Sequence, residues 1–156
     1  MVHLKFEELR IAEMDFRLPP KNPLTSVMGS VKTMYKVLVV DDERPARETI
    51  RHIINWENTC FKIISYAKNG AEALEMYEKH RPDLIITDIQ MPIIDGLELI
   101  RRIRHKDNNV KFVILSCHEN FNYAKEAIKM GVSDYLLKDL ITENDIYWLL
   151  QNIKDK

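Results

Sequence analysis

Residues 82 to 96 read P-D-L-I-I-T-D-I-Q-M-P-I-I-D-G, and the apolar run between Pro82 and Asp88 decides the fold. A run this short, aliphatic and β-branched with no polar alternation, reads as a strand buried on both faces of a sheet. Four more runs share that character. The spacing predicts strands at 36–40, 61–66, 83–87, 111–115 and 133–137, each followed by a stretch of helical period. The apolar positions of those helices are Ile50, Ile53 and Ile54; Ala71, Leu74 and Tyr77; Leu97, Ile100 and Ile103; Ala124, Ala127 and Ile128; and Ile146, Leu149, Leu150 and Ile153. Each set makes one buried stripe. Gly131 falls where a left-handed helix C-cap is expected. Alternating strands and helices of this length give βαβ units, right-handed crossovers and an open α/β sandwich with a parallel sheet.

The remaining sequence narrows the class. At 156 residues the chain holds about one domain. With 23 basic against 24 acidic residues and no long run of either sign, electrostatic capture of nucleic acid or an anionic membrane is not expected. Cys60 and Cys117 are far apart and in no C-x-x-C pair, so neither a zinc site nor a disulfide framework is expected, and a reducing cytosol suits both. No apolar run approaches the roughly 20 residues of a membrane span, which reads as a cytoplasmic protein. Residues 1–33 contain Pro19, Pro20 and Pro23, end near a Gly-Ser pair and show no sustained period. They read as a poorly ordered N-terminal extension or linker, with Val2, Leu4 and Phe6 able to add a short strand. The domain is expected over 34–156.

In an open α/β sheet the ligand site lies outside the carboxyl ends of the strands. There the sequence places Asp41 and Asp42 after strand one, Asp88 after strand three, Ser116 after strand four and Lys138 after strand five. Singly each has a bland reading: Asp41 and Asp42 a solvated turn or helix cap, Asp88 a loop cap, Ser116 the cap of helix four, Lys138 a surface lysine. Jointly, three carboxylates meeting at one place repel one another unless a cation and an ammonium neutralise them. Hard oxygens with room for water suit Mg²⁺, which takes octahedral oxygen coordination at about 2.0–2.1 Å. Asp42 and Asp88 would bind it directly, Asp41 through a bound water, and the main-chain carbonyl of Gln90 would complete the set. Phosphoryl transfer needs such positioning and charge neutralisation, with Asp88 as nucleophile and Lys138 and Ser116 on the phosphoryl oxygens.

The chain resembles the receiver domain of two-component response regulators. The motifs are V-L-V-V-D-D-E at 37 to 43, D-I-Q-M-P-I-I-D-G at 88 to 96, L-S at 115 to 116 and D-Y-L-L-K at 134 to 138. In the second, Pro92 and Gly96 shape the loop after the phosphoacceptor. The resemblance covers 34–156 and implies a flavodoxin-like (βα)5 three-layer sandwich with a five-stranded parallel sheet in the order 2-1-3-4-5. It implies an acidic pocket of Asp41, Asp42 and Asp88, the switch hydroxyl Ser116, the switch aromatic Tyr135 and the phosphate partner Lys138. It also implies a histidine kinase as donor, homodimerisation on phosphorylation, and a signalling switch in place of an enzyme with an external substrate. The stretch from Leu115 to Lys138 is similar to receivers that precede AraC-type helix-turn-helix output domains, which implies transcriptional regulation through an element beyond these residues.

Two departures from the family pattern carry expectations. Asp139 stands where a proline in a cis peptide is usual; a cis bond to a non-proline residue costs about 3–4 kcal/mol, so the bond is expected to be trans or strained. Asp139 is also expected either to cap helix five or to compete for Lys138. Cys117 and His118 follow Ser116 where a smaller residue often opens the path to Asp88, which narrows access. Other classes are disfavoured. A haloacid-dehalogenase-type phosphatase needs a second aspartate where Gln90 stands, a flavodoxin would meet phosphate with Asp41, Asp42 and Glu43, and a P-loop enzyme lacks its glycines. The alternative is a receiver-like interaction module that takes no phosphate.

Overall fold

The computed structural model describes residues 33–117 and 119–156. The expectations for 1–33 therefore lie, apart from Thr33, outside the described residues. Five parallel strands, β1 Tyr35–Val40, β2 Phe61–Ala67, β3 Leu84–Thr87, β4 Lys111–Ser116 and β5 Asp134–Leu137, form one sheet in the order β2-β1-β3-β4-β5. The helices are α1 Arg44–His52, α2 Gly70–His80, α3 Gly96–Arg104, α4 Phe121–Lys129 and α5 Glu143–Asp155.

The strands divide their side chains between two cores, as a period of two requires. Val37, Val39, Leu84, Ile86, Val113, Leu115 and Leu136 face Ile50, Ile54, Ile146, Leu149 and Leu150 of the α1 and α5 layer. Leu38, Val40, Ile85, Phe112 and Ile114 face Ala73, Tyr77, Leu97, Ile100, Ile103, Ala124 and Ala127 of α2 to α4. Two expected stripe positions are corrected. Ala73, not Ala71, is the fully buried alanine of α2, because Gly70, Ala73 and Tyr77 share one helical face. Ile128 is 50% exposed, since α4 buries Ala124 and Ala127 against the sheet with Tyr123 packed beside them.

Side-chain caps set most helix starts. Asn69, Asp95 and Asn120 accept backbone N–H groups of the first turns of α2, α3 and α4, and Thr142 forms a capping box with Asp145 on α5. The expected cap roles of Ser116 on α4 and Asp139 on α5 are therefore corrected: Asn120 and Thr142 hold those places. Gly131, at φ +68°, follows α4 in the left-handed region as its position suggested.

Arg104 closes the other end of α4. Its guanidinium donates to the carbonyls of Val110, Met130 and Gly131 at 2.6, 3.1 and 3.3 Å and lies 4.8 Å over the Phe112 ring. Burial holds its pKa below the usual arginine value, so the guanidinium is poorly solvated and the carbonyls replace its water. Arg104→Ala should cost about 2 kcal/mol, the scale of a charged hydrogen-bond donor lost from half-buried acceptors. Urea unfolding would show it as a lower midpoint at unchanged slope, and a midpoint equal to that of the parent would refute it.

Candidate functional site

The carboxyl ends of β1, β3, β4 and β5 bring Asp41, Asp88, Ser116 and Lys138 to one edge of the sheet. Carboxylate oxygens of Asp41, Asp42 and Asp88 lie within 4.8 Å of one another. Asp41 and Asp88 are buried, whereas Asp42 is exposed. Lys138 Nζ bridges the two buried ones, at 2.6 Å from Asp41 Oδ2 and 2.9 Å from Asp88 Oδ2. The second oxygen of each is held by backbone: Asp41 Oδ1 accepts the Glu43 N–H at 2.9 Å, and Asp88 Oδ1 the Ile89 N–H at 2.6 Å. These bonds orient both groups before any ligand arrives.

Burial is the largest influence on Asp41 and raises its pKa, against the opposing pull of Lys138. Burial alone would lower the Lys138 pKa, but hydrogen bonds to Asp41 and Asp88 outweigh it and the net shift is upward. The ammonium is thus firmly charged. Within these four side chains one positive charge meets three negative ones, leaving two that match a divalent cation. An all-oxygen donor set with one exposed member fits a hard ion that keeps part of its water, as Mg²⁺ does.

The loop from Asp88 to Gly96 is built around close backbone approaches. Gly96 N–H donates to the Ile89 carbonyl at 2.8 Å, and a Cβ at Gly96 would lie 2.0 Å from the Asp88 carbonyl oxygen. Ile93, 80% exposed, has φ +72° at the centre of a γ-turn closed by Ile94 N–H on the Pro92 carbonyl at 2.9 Å. That conformation is strained for a β-branched residue. Gln90 is exposed, and its side-chain Nε2 donates to Tyr123 Oη on α4 at 3.4 Å.

Ser116 is fully buried, and its hydroxyl shares a hydrogen bond with that of Tyr135, whose ring is 9% exposed and whose pKa burial raises. Tyr135 thus sits inward, packed in the α2 to α4 core. The Ser116 hydroxyl and the α4 side of the sheet accommodate the ring there. Asp139 is exposed, and Lys138 is engaged by Asp41 and Asp88, so the expected competition is also corrected. Every peptide bond among the described residues, that between Lys138 and Asp139 included, is trans. Cys60 and Cys117 are free thiols and Cys117 is exposed, while His118, the other half of the access expectation, lies outside the described residues.

Sequence reasoning missed Arg47, whose Nη1 donates to the Asp41 carbonyl at 2.6 Å, and Thr87, whose hydroxyl donates to the Asp88 carbonyl at 2.8 Å. The only signal for Arg47 was a basic residue early in a helix that follows an acidic turn, where the helix dipole favours the opposite charge.

Residues 37–150 match the response regulator receiver domain family. The chain belongs to that family, whose members are signalling domains of two-component phosphorelays, partnered by histidine kinases and distinct from metabolic enzymes. It is 46% identical over 105 residues to the uncharacterized transcriptional regulatory protein YesN of Bacillus subtilis and 47% identical over 105 residues to the transcriptional regulatory protein HptR of Staphylococcus aureus. Those matches take in 67% of this chain but 28% and 41% of the relatives, so the chain spans less than half of their length. Among solved structures it is similar to the REC domain of AraT, a response regulator from Geobacillus stearothermophilus, with TM-score 0.72, 37% identity, and 78% and 94% of the two chains covered. It is also similar to a chain of the CheX-CheY-BeF3-Mg complex from Borrelia burgdorferi, with TM-score 0.70, 25% identity, and 78% and 90% covered. No helix among the described residues is long and apolar enough to cross a membrane.

Proposed function

We propose that Asp88 accepts a phosphoryl group from a histidine kinase and that the domain converts the added charge into a change of surface. The observation that carries this reading is the Lys138 bridge between Asp41 and Asp88 beside an exposed third carboxylate. An Asp88 oxygen attacks the phosphorus of the donor phosphohistidine; the P–N bond breaks as the O–P bond forms, and the imidazole leaves. Mg²⁺ held by Asp42, Asp88 and the Gln90 carbonyl, with Asp41 behind a water, would supply the positive charge that phosphoryl transfer demands. Lys138 moves from Asp88 onto a phosphoryl oxygen, and Ser116 donates to another. The similarity to a chain of a complex that contains BeF3 and Mg supports this chemistry.

Phosphorylation adds about −1.5 to −2 charge at Asp88. When Ser116 turns its hydroxyl to the phosphoryl group, its bond to Tyr135 is given up and the inward ring is held by packing instead. The α4, β5 and α5 face then repacks, a charge event read through an element with two states. Homodimerisation through that face and transcriptional control through an AraC-type output domain, in the cytoplasm, follow as further parts of the reading, supported by the transcriptional regulators among the relatives.

Incubation with acetyl phosphate and Mg²⁺ should yield a hydroxylamine-labile phosphate, lost in Asp88→Ala and in EDTA. If a folded, Mg²⁺-binding protein stays unlabelled, the domain is an interaction module that works without phosphate.

A further inference from the structure

Past Val40 the chain leaves the β1 ladder, and the Asp41 carbonyl needs a donor from elsewhere. Arg47 supplies it from the fourth position of α1, with its Nη1 at 2.6 Å. The rest of the turn is held by Asp41 N–H on the Ala67 carbonyl at 3.0 Å and Glu43 N–H on Asp41 Oδ1 at 2.9 Å. Glu43, at the N-cap of α1, makes no side-chain cap bond. Between these anchors stands Asp42, the exposed member of the carboxylate cluster, whose direction follows from the path of the main chain.

We propose that Arg47 is the positioning residue of this acidic turn. By clamping the Asp41 carbonyl from α1 it fixes the angle at which Asp41 and Asp42 present their oxygens to a divalent cation. This rests on the Mg²⁺-dependent phosphoacceptor reading. Groups that orient metal ligands from behind typically carry about 10- to 100-fold in metal affinity. Arg47 is also a cation beside the site, and the two roles have opposite signs. A mere charge opposes Mg²⁺, so its removal would tighten binding; a clamp favours Mg²⁺, so its removal weakens binding.

The test is calorimetric titration of Mg²⁺ into the full chain for the parent, Arg47→Met and Arg47→Lys, with melting in EDTA and labelling by acetyl phosphate at saturating Mg²⁺. Methionine keeps an aliphatic stem and removes the guanidinium. Arg47→Met should bind Mg²⁺ about tenfold more weakly, melt within a few degrees of the parent in EDTA, and be labelled within about twofold of its rate once Mg²⁺ saturates. Arg47→Lys, which keeps a donor, should recover part of the affinity. Unchanged or tighter binding in Arg47→Met overturns the proposal, and so does a variant unfolded in EDTA, since the arginine would then hold the fold and not the site. A parent that binds no Mg²⁺ or takes no label overturns instead the reading on which the proposal rests.

Discussion

Lys138→Met should slow the labelling of Asp88 by acetyl phosphate about 100- to 1,000-fold at saturating Mg²⁺, the scale of losing one donor preorganised for developing charge. The same change should destabilise the metal-free fold by about 3–5 kcal/mol near neutrality, because two buried carboxylates lose the ammonium 2.6 and 2.9 Å away. The dependence on pH follows from the shifts. The Lys138 pKa is raised, so its stabilisation is fully present below the unfolded value of 10.5 and disappears as pH rises through the folded one. Asp41 already titrates above its ordinary 3.8 through burial, and the hydrogen bond from Lys138 is what holds it down. Without that bond its folded pKa climbs further. A raised folded pKa gives stability that is present at low pH and lost as pH rises through that value, so the deficit of Lys138→Met should shrink as pH falls from neutrality toward the acid range. Urea midpoints across that range measure it. A deficit independent of pH would mean that the carboxylates do not feel the lysine.

Gly96→Ala should be the most damaging glycine-to-alanine change among the described residues. Its Cβ would lie 2.0 Å from the Asp88 carbonyl oxygen and 3.0 Å from the Ile89 Cα, backbone atoms that no rotamer change can move aside. The same Asp88 carbonyl accepts the Thr87 hydroxyl, and Gly96 N–H closes the loop on Ile89, so relief of the clash displaces Asp88 itself. A loss of about 3 kcal/mol is expected from overpacking against fixed backbone, together with at least about 100-fold slower labelling from a misplaced nucleophile. Gly131→Ala is the control. A Cβ there meets nothing within 4 Å, but φ is +68°, so about 1 kcal/mol should be lost with labelling unchanged. If Gly96→Ala melts and labels like the parent, the loop does not hold Asp88 as described.

Much of this protein was written in periodicity. The run from Leu84 to Thr87 and its four counterparts defined five strands because a strand buried on both faces has no polar position to spare, and the order of strands is the one the resemblance implies. The strand-end residues Asp41, Asp88, Ser116 and Lys138 were legible for the same reason: a polar group at the end of an apolar run has only one edge of the sheet to occupy. Helix facing was less legible where alanines left two phases open, so Ala71 was taken for Ala73, and where a helix of nine residues showed only a narrow face to the sheet, so Ile128 was placed inside.

The sequence by itself determined the layers, the edge of the sheet at which the carboxylates and the lysine gather and the residue types found there, because these follow from which side chains tolerate water. Only the tertiary structure decided which partner each group takes. Lys138 chose Asp41 and Asp88 over the adjacent Asp139, Asn120 and Thr142 took the caps expected of Ser116 and Asp139, Tyr135 turned inward onto Ser116, and Arg47 reached back to the Asp41 carbonyl. Hydrogen bonds and ion pairs depend on a few ångströms and on direction, and those are fixed by packing between elements far apart in the chain.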